Sequence, residues 1–228
     1  MGIRICRKTG LVAAFQVHGS CRVNNETNAP GSALTGLWDS LRTHHHSQDH
    51  LAVIVSFTPT GAAAFVREPL DEFRNATVAM DGVLSRASEL NRVHEQLAEA
   101  EHNVARIRAV EKFLLNRIGE TRPDPLVSAA VSWIEKAEPT ARIEDLVQHI
   151  GLSQSALERR FRRFVGTSPR KLASLVRLQR VLRLRSARAD LTSIAYDAGY
   201  CDQSHFIKDF KRFAGLAPEA FFKQAISH

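Results

Sequence analysis

The residues best suited to chemistry are basic, and they occur twice. Arg159, Arg162 and Arg163 follow Gln154 and Ser155, and Lys208, Lys211 and Arg212 follow Gln203 and Ser204 at the same spacing. Leu157, Phe161 and Phe164 run through the first set, and Phe206, Phe210 and Phe213 through the second, each spaced i, i+4, i+7. On a helix those apolar side chains form one buried face and leave the cations on the opposite side. Such a helix suits an anionic partner and can lie in a DNA major groove. A single basic helix would be read most simply as a solvated face over a core. Two matched copies favour DNA.

Two other groups invite chemistry. His44, His45 and His46, with His50 close by, suggest a metal. Adjacent residues on a regular element cannot all face one ion, and no cysteine or acidic cluster accompanies them in sequence. A polar loop is therefore expected, with no metal and no cofactor. Cys6, Cys21 and Cys201 are too few and too scattered for a disulfide framework or a zinc cluster, which fits a reducing cytoplasm. Cys201 falls in the second turn, where a semi-buried thiol is read more simply as structural than as a redox sensor.

The elements that position the basic residues are themselves duplicated. Segment 202–218 repeats 153–169: Gln154 as Gln203, Ser155 as Ser204, Phe161 as Phe210, Arg163 as Arg212, Phe164 as Phe213, Gly166 as Gly215 and Pro169 as Pro218. Upstream, Leu146, Val147, Ile150 and Gly151 parallel Ile194, Ala195, Ala198 and Gly199, with one extra residue in the second turn near Cys201. Each copy reads as a short helix (143–149 or 191–197), a glycine turn, an N-cap at Ser153 or Asp202, and an amphipathic second helix. That is one helix-turn-helix unit occurring twice, joined by an arginine-bearing helix over about 168–188.

Charge follows the same division. The 228 residues carry a net charge of +7. Residues 1–121 hold 13 basic and 13 acidic side chains, whereas 122–228 hold 18 and 11, so the whole surplus lies in the C-terminal part. A neutral module joined to a basic one is expected of a sensory or oligomerisation domain fused to a nucleic-acid-binding domain. At 44% hydrophobic the chain is too apolar for disorder. No stretch approaches the ~18 apolar residues of a membrane span, and no secretory signal is expected at the N-terminus.

The first 87 residues read as β-rich. Strands are expected at 11–17 and 51–57 and a short one at 77–80, with a loop at 24–32 and a turn at Thr58-Pro59-Thr60-Gly61. Segment 62–66 fits a strand or a short helix equally. From Ser88 the pattern is helical: Leu90, Val93, Leu97, Ala100, Val104, Ile107, Leu114 and Ile118 form a heptad-like stripe, with a break near Glu101-His102-Asn103. That stripe reads equally as two helices packed on the β-rich part and as a dimerisation seam.

Taken together, residues 125–225 resemble the AraC/XylS family of bacterial transcription regulators. The resemblance rests most on Ile194-Ala-Tyr-Asp-Ala-Gly-Tyr200 and the following run through Phe206, Phe210 and Phe213 to Pro218, which is similar to the family's second helix-turn-helix signature. Gly151-Leu-Ser153 with Leu157, Arg159, Phe161, Gly166 and Pro169 resembles the first unit, and Arg177-Leu178 the start of the linker helix. Val181 stands where an alanine is common, and Phe222 where an arginine usually ends the signature. More weakly, Val55 to Phe65 and Pro69-Leu70 resemble the end of a cupin-like sensory domain. The β segment is short for a complete barrel, implying a truncated domain or one used for oligomerisation.

Together, pattern and resemblance imply an α+β chain: a β-rich, cupin-like sensory or oligomerisation domain (1–87), a helical connector (88–121) whose stripe reads as packed helices or a dimer seam, and an all-α double helix-turn-helix domain (122–228). It implies base reading by Ser155, Glu158 and Arg159 in the first unit and by Ser204, His205 and Lys208 in the second. Gln154, Arg162, Arg163, Gln203, Lys211 and Arg212 are expected to touch phosphates or flank the groove. Expected partners are promoter DNA, RNA polymerase, a second copy through 88–118 and an unidentified small-molecule effector, in the cytoplasm and away from membranes. The alternatives are a DNA-linked repair methyltransferase or glycosylase, disfavoured because no suitable cysteine pair is present, and a sequence-tolerant architectural binder.

Overall fold

The computed structural model describes residues 9–23, 28–40, 43–81, 83, 87–119, 122–138, 141–184 and 190–226. Its N-terminal part is built on β1 (Val12–His18), where Ala13 and Phe15 turn inward between half-exposed neighbours. β1 pairs antiparallel with β3 (Ser32–Thr35) on one side and with β5 (Leu51–Ser56) on the other. β3 pairs in turn with β6 (Thr77–Ala79), giving an open four-stranded sheet in the order β5-β1-β3-β6. A register shift between Gln16 and His18 marks the end of this ladder. Just beyond it, β2 (Cys21–Val23) and β4 (His44–His46) form a separate two-stranded ladder.

Several expectations change here. His44–His46 is a strand, not a loop, because Cys21–Val23 supplies the backbone partners its side chains do not advertise. β3 begins at Ser32, inside the expected loop 24–32, of which residues 24–27 lie outside the described residues. Segment 61–64 is a 3-10 turn, and a second 3-10 turn spans Leu70–Phe73.

α1 (Ala87–Glu99) and α2 (Asn103–Leu115) pack on the sheet. His102 separates them and caps α2, its Nδ1 accepting from Ala105 N at 3.1 Å. Leu90, Val93 and Leu97 from α1 and Val110 and Phe113 from α2 join Leu11, Phe15, Leu34, Leu70 and Met80 in one core. The Phe113 ring meets Phe15 edge-on at 5.8 Å. The expected single stripe therefore divides. Its α1 members are buried, whereas Val104, Ile107 and Ile118 are about half exposed or more, at 54%, 48% and 60%.

The remaining described helices are α3 (Pro125–Lys136), α4 (Ile143–Ile150), α5 (Gln154–Val165), α6 (Pro169–Leu184), α7 (Leu191–Asp197), α8 (Gln203–Ala214) and α9 (Pro218–Ile226). They enclose two cores. Val127, Ala130, Leu146, Leu157, Phe161 and Val165 gather around Leu172 and Val176 of α6. Ile194, Ala198, Phe206, Phe210 and Phe213 gather around Leu178, Val181 and Leu182 of the same helix. α6 is thus the shared wall of both units; 185–188, the rest of the expected linker, lies outside the described residues. The two sequence departures are packing features: Val181 is fully buried, and Phe222 lies against Phe210 at 5.6 Å in the second core.

Candidate nucleic-acid interface

Local chemistry fixes both helix-turn-helix units. Gly151 ends α4 at φ 71° and Gly199 follows α7 at φ 91°, the left-handed region that glycine enters without a steric penalty. Ser153 Oγ then accepts from Ala156 N at 3.3 Å to start α5, and Asp202 Oδ1 accepts from His205 N at 2.7 Å to start α8. Such caps contribute roughly 0.5–2 kcal/mol each. α3 begins the same way, with Asp124 Oδ1 accepting from Leu126 N at 2.9 Å.

Burial of the aromatic faces leaves the polar ones outward. On α5, Gln154, Ser155, Arg159, Arg162 and Arg163 are exposed and Glu158 is half-buried. Ser155, Glu158, Arg159 and Arg162 share one face. Glu158 accepts from Gln154 Nε2 at 3.3 Å and stands 3.8 Å from Arg162, so it engages these neighbours on its own helix. Among the described residues, Arg159 takes part in no ion pair. The guanidinium of Arg163 lies 5.7 Å over the Phe164 ring, toward the edge of that face.

On α8, Gln203, Ser204, His205, Lys208, Lys211 and Arg212 are all exposed. Lys208, like Arg159, is in no ion pair among the described residues. His205 sits against the Tyr200 ring at 5.3 Å, with Nε2 3.9 Å from Asp209. Arg212 is partly committed inward, pairing with the buried Asp209 at 2.9 Å and covering the Phe213 ring at 4.8 Å. Burial, with Asp209 beside it, pushes the Tyr200 phenol up to about 12, so it stays neutral at ordinary pH.

Between the two units runs a cleft of about 820 Å³ lined by Arg142, Arg170, Arg177, Tyr196, Cys201 and His205. Tyr196 on α7 is 78% exposed at its rim. Neither Tyr196 nor Arg170 stands out in the sequence, since each lies outside the repeated second helices. An exposed aromatic beside cations is the signal that would have found them. Cys201 is exposed rather than semi-buried, because it occupies the extra position of the second turn.

The first unit also touches the N-terminal part. Phe164 packs against both the first helical core and the core of the sheet. A Cβ at Gly166 would stand 2.9 Å from Leu70 O, so α5 ends directly on the second 3-10 turn. Asp39 reaches Lys171 of α6 at 2.8 Å and Arg74 at 2.5 Å. Burial alone would raise the Asp39 carboxyl, but Lys171, Arg74 and Asn75 outweigh it and hold the group at about 2.

The helix-turn-helix domain family matches residues 146–224. The raffinose operon transcriptional regulatory protein RafR of Pediococcus pentosaceus is 36% identical over 96 residues, 41% of this chain and 35% of RafR. A putative AraC-like transcription regulator of Streptomyces lividans is 31% identical over 102 residues, 44% of this chain and 34% of that protein. The C-terminal helices form an AraC-type helix-turn-helix domain.

The matched segment spans about a third of the length of these curated relatives. In fold, the likeness extends past the AraC-type domain. ToxT of Vibrio cholerae O395, crystallised with (E)-4-(8-methylnaphthalen-1-yl)but-3-enoic acid, superposes with a TM-score of 0.51 at 14% identity, covering 95% of this chain and 91% of ToxT. The small antiparallel sheet followed by the helical C-terminal part is therefore a fold found in a solved structure. No helix among the described residues is long and apolar enough to cross a membrane.

Proposed function

We propose that this chain is a sequence-specific DNA-binding transcription regulator whose two units enter successive major grooves. The observation that carries this reading is the repeated outward face: Arg159 on α5 and Lys208 on α8 are exposed at equivalent positions and uncommitted to any ion pair among the described residues. Arg159 would grip guanine O6 and N7 with its guanidinium fork, with Ser155 and Glu158 as the other base-reading residues of the first groove, while Ser204, His205 and Lys208 read the second. Gln154, Arg162, Arg163, Gln203, Lys211 and Arg212 would set affinity through phosphates. Binding requires no bond to be made or broken, so no catalytic role is assigned. RNA polymerase is the partner such a regulator would meet at a promoter.

The N-terminal part would act by pairing subunits. Val104, Ile107, Leu115 and Ile118 form an exposed apolar strip along and just beyond α2, on the side away from Val110 and Phe113. A small-molecule effector would act by binding two states of this part unequally.

Footprinting of the protein on its own chromosome tests the reading. One motif with two half-sites a helical turn apart, bound more than ~10³-fold tighter than bulk DNA at physiological salt, is the expected result. Uniform coverage without a motif would overturn it in favour of an architectural binder. Sedimentation of the protein and of Ile107→Glu tests the pairing, the variant being expected to run as a monomer.

A further inference from the structure

The β2–β4 ladder brings together three metal-ligand side chains that are far apart in sequence. Cys21 stands directly across from His46 in the antiparallel register, and His44 lies two residues along on the same face, while His45 points to the other. The donor atoms of Cys21, His44 and His46 all lie within 4.8 Å of one another. The objection that adjacent histidines cannot share an ion holds for His45 but not for the alternate pair. The cysteine that sequence order placed elsewhere arrives through strand pairing.

We infer that Cys21, His44 and His46 form a binding site for one zinc-class divalent ion in the N-terminal part. The geometry is close to what such an ion needs. Tetrahedral zinc, with Zn–S ~2.3 Å and Zn–N ~2.0–2.1 Å, requires sulfur and nitrogen ligands roughly 3.5 Å apart. Cys21 Sγ and His44 Nδ1 are already 3.6 Å apart. The His44 and His46 rings are stacked nearly parallel, 7° apart with centroids at 6.0 Å, and both are exposed, so His46 can close the remaining distance by rotation. The His50 ring lies 4.5 Å from His46 and can supply a fourth nitrogen, or a water can.

The frame around the donors is fixed before any ion arrives. Ser47 N donates to Ser20 O at 2.9 Å, Ser47 Oγ accepts from Ser20 N at 2.9 Å, and His50 N donates to Ser47 O at 3.2 Å. A Cβ at Gly19 would stand 2.6 Å from His50 Cα, so the two chain segments are in direct contact below the site. One soft thiolate with two or three imidazoles selects zinc and its neighbours over magnesium or calcium. On binding, the Cys21 thiol releases its proton to solvent as the sulfur–metal bond forms.

The test uses the full chain, purified without a polyhistidine tag, kept reduced and stripped of metal. Cobalt(II) is titrated as a spectroscopic probe and then displaced with zinc. One equivalent per chain is expected, with the thiolate-to-cobalt charge-transfer band of a sulfur-ligated site. Cys21→Ser should abolish the band. His44→Gln and His46→Gln should each weaken zinc binding tenfold or more, and His45→Gln should leave it unchanged. Because His44 and His46 are exposed, their variants carry the test even if Cys21→Ser fails to fold, as a circular dichroism melt will show. A band that survives Cys21→Ser, or that disappears with Cys201→Ser instead, would overturn the site. So would equal losses from His45→Gln and His46→Gln, which would indicate loose capture by a run of histidines.

Discussion

Arg159 and Arg160 are neighbours in sequence with opposite environments, and replacing each by alanine separates recognition from stability. Arg159 is exposed and uncommitted, so Arg159→Ala should change folding stability by less than ~0.5 kcal/mol. On DNA it should cost about 1–3 kcal/mol, or about 5- to 150-fold, at a single base pair. Arg160 instead turns inward, its Nη1 2.6 Å from Asp124 Oδ2, the residue that caps α3. Arg160 is 40% exposed, so solvent screening discounts this pair to about 1 kcal/mol, and that loss should appear in folding, not in base preference. The assay is competition binding against the footprinted operator and each single-base variant, at two salt concentrations, beside urea melts of both mutants. If Arg159→Ala weakened all sequences equally and lowered the salt slope by ~1, the side chain would be a phosphate contact, and the base-reading role would be refuted. If Arg160→Ala relaxed specificity and left stability intact, the geometry of the α5 face would be wrong.

Three further outcomes follow from packing and charge. Phe210 is fully buried against Phe206, Phe221 and Phe222, so Phe210→Ala should lose about 3–5 kcal/mol, measured by denaturant melts; a loss below ~1 kcal/mol would mean that core is not formed. Gly166→Ala places a Cβ at φ 81° and 2.9 Å from Leu70 O; it should cost about 1–2 kcal/mol and raise protease sensitivity between the sheet and α5, and unchanged sensitivity would disprove that contact. Asp39 is depressed from 3.8 to about 2 in the folded state, so its stabilisation is complete above the unfolded value and is lost as pH falls through about 2. The stability gap between wild type and Asp39→Asn should therefore be constant near neutrality and shrink as pH drops below 3.8, and a gap that persists at pH 2 would remove Lys171 and Arg74 as its cause.

The C-terminal part was legible because each unit carries its own signals. The i, i+4, i+7 aromatics, the caps Ser153 and Asp202, and the glycine turns are local, and the repeat states them twice. The N-terminal part was less legible because its strands are defined by partners rather than by pattern. Ser32–Thr35 is buried along its whole length, so it shows no alternation to detect. His44–His46 has neither β-branched nor apolar residues, and only Cys21–Val23 makes it a strand. The heptad reading of 88–118 erred in register at α2. Val110 and Phe113, which lie off the stripe, face the core, whereas Val104 and Ile107 face outward. A helix with apolar residues on two sides leaves periodicity unable to say which side the core takes.

The two helix-turn-helix units differ in how they are connected to the rest of the chain. α5 ends on the 3-10 turn at Leu70–Phe73, and Phe164 is shared between its own core and that of the sheet. Among the described residues, the core around α8 contains none from the N-terminal part. Lys171 links it to the N-terminal part, pairing with Asp39 and lying 4.4 Å over the Phe213 ring. A shift of the N-terminal part therefore reaches the α5 face by direct packing, and among the described contacts it reaches α8 through Lys171 of α6. Any ligand of the N-terminal part that distinguishes two sheet arrangements must consequently alter readout of the half-site under α5 more than that under α8. Quantitative footprints of each half-site with and without such a ligand measure this asymmetry, and equal changes in both would place the coupling in α6 rather than in the α5 contact.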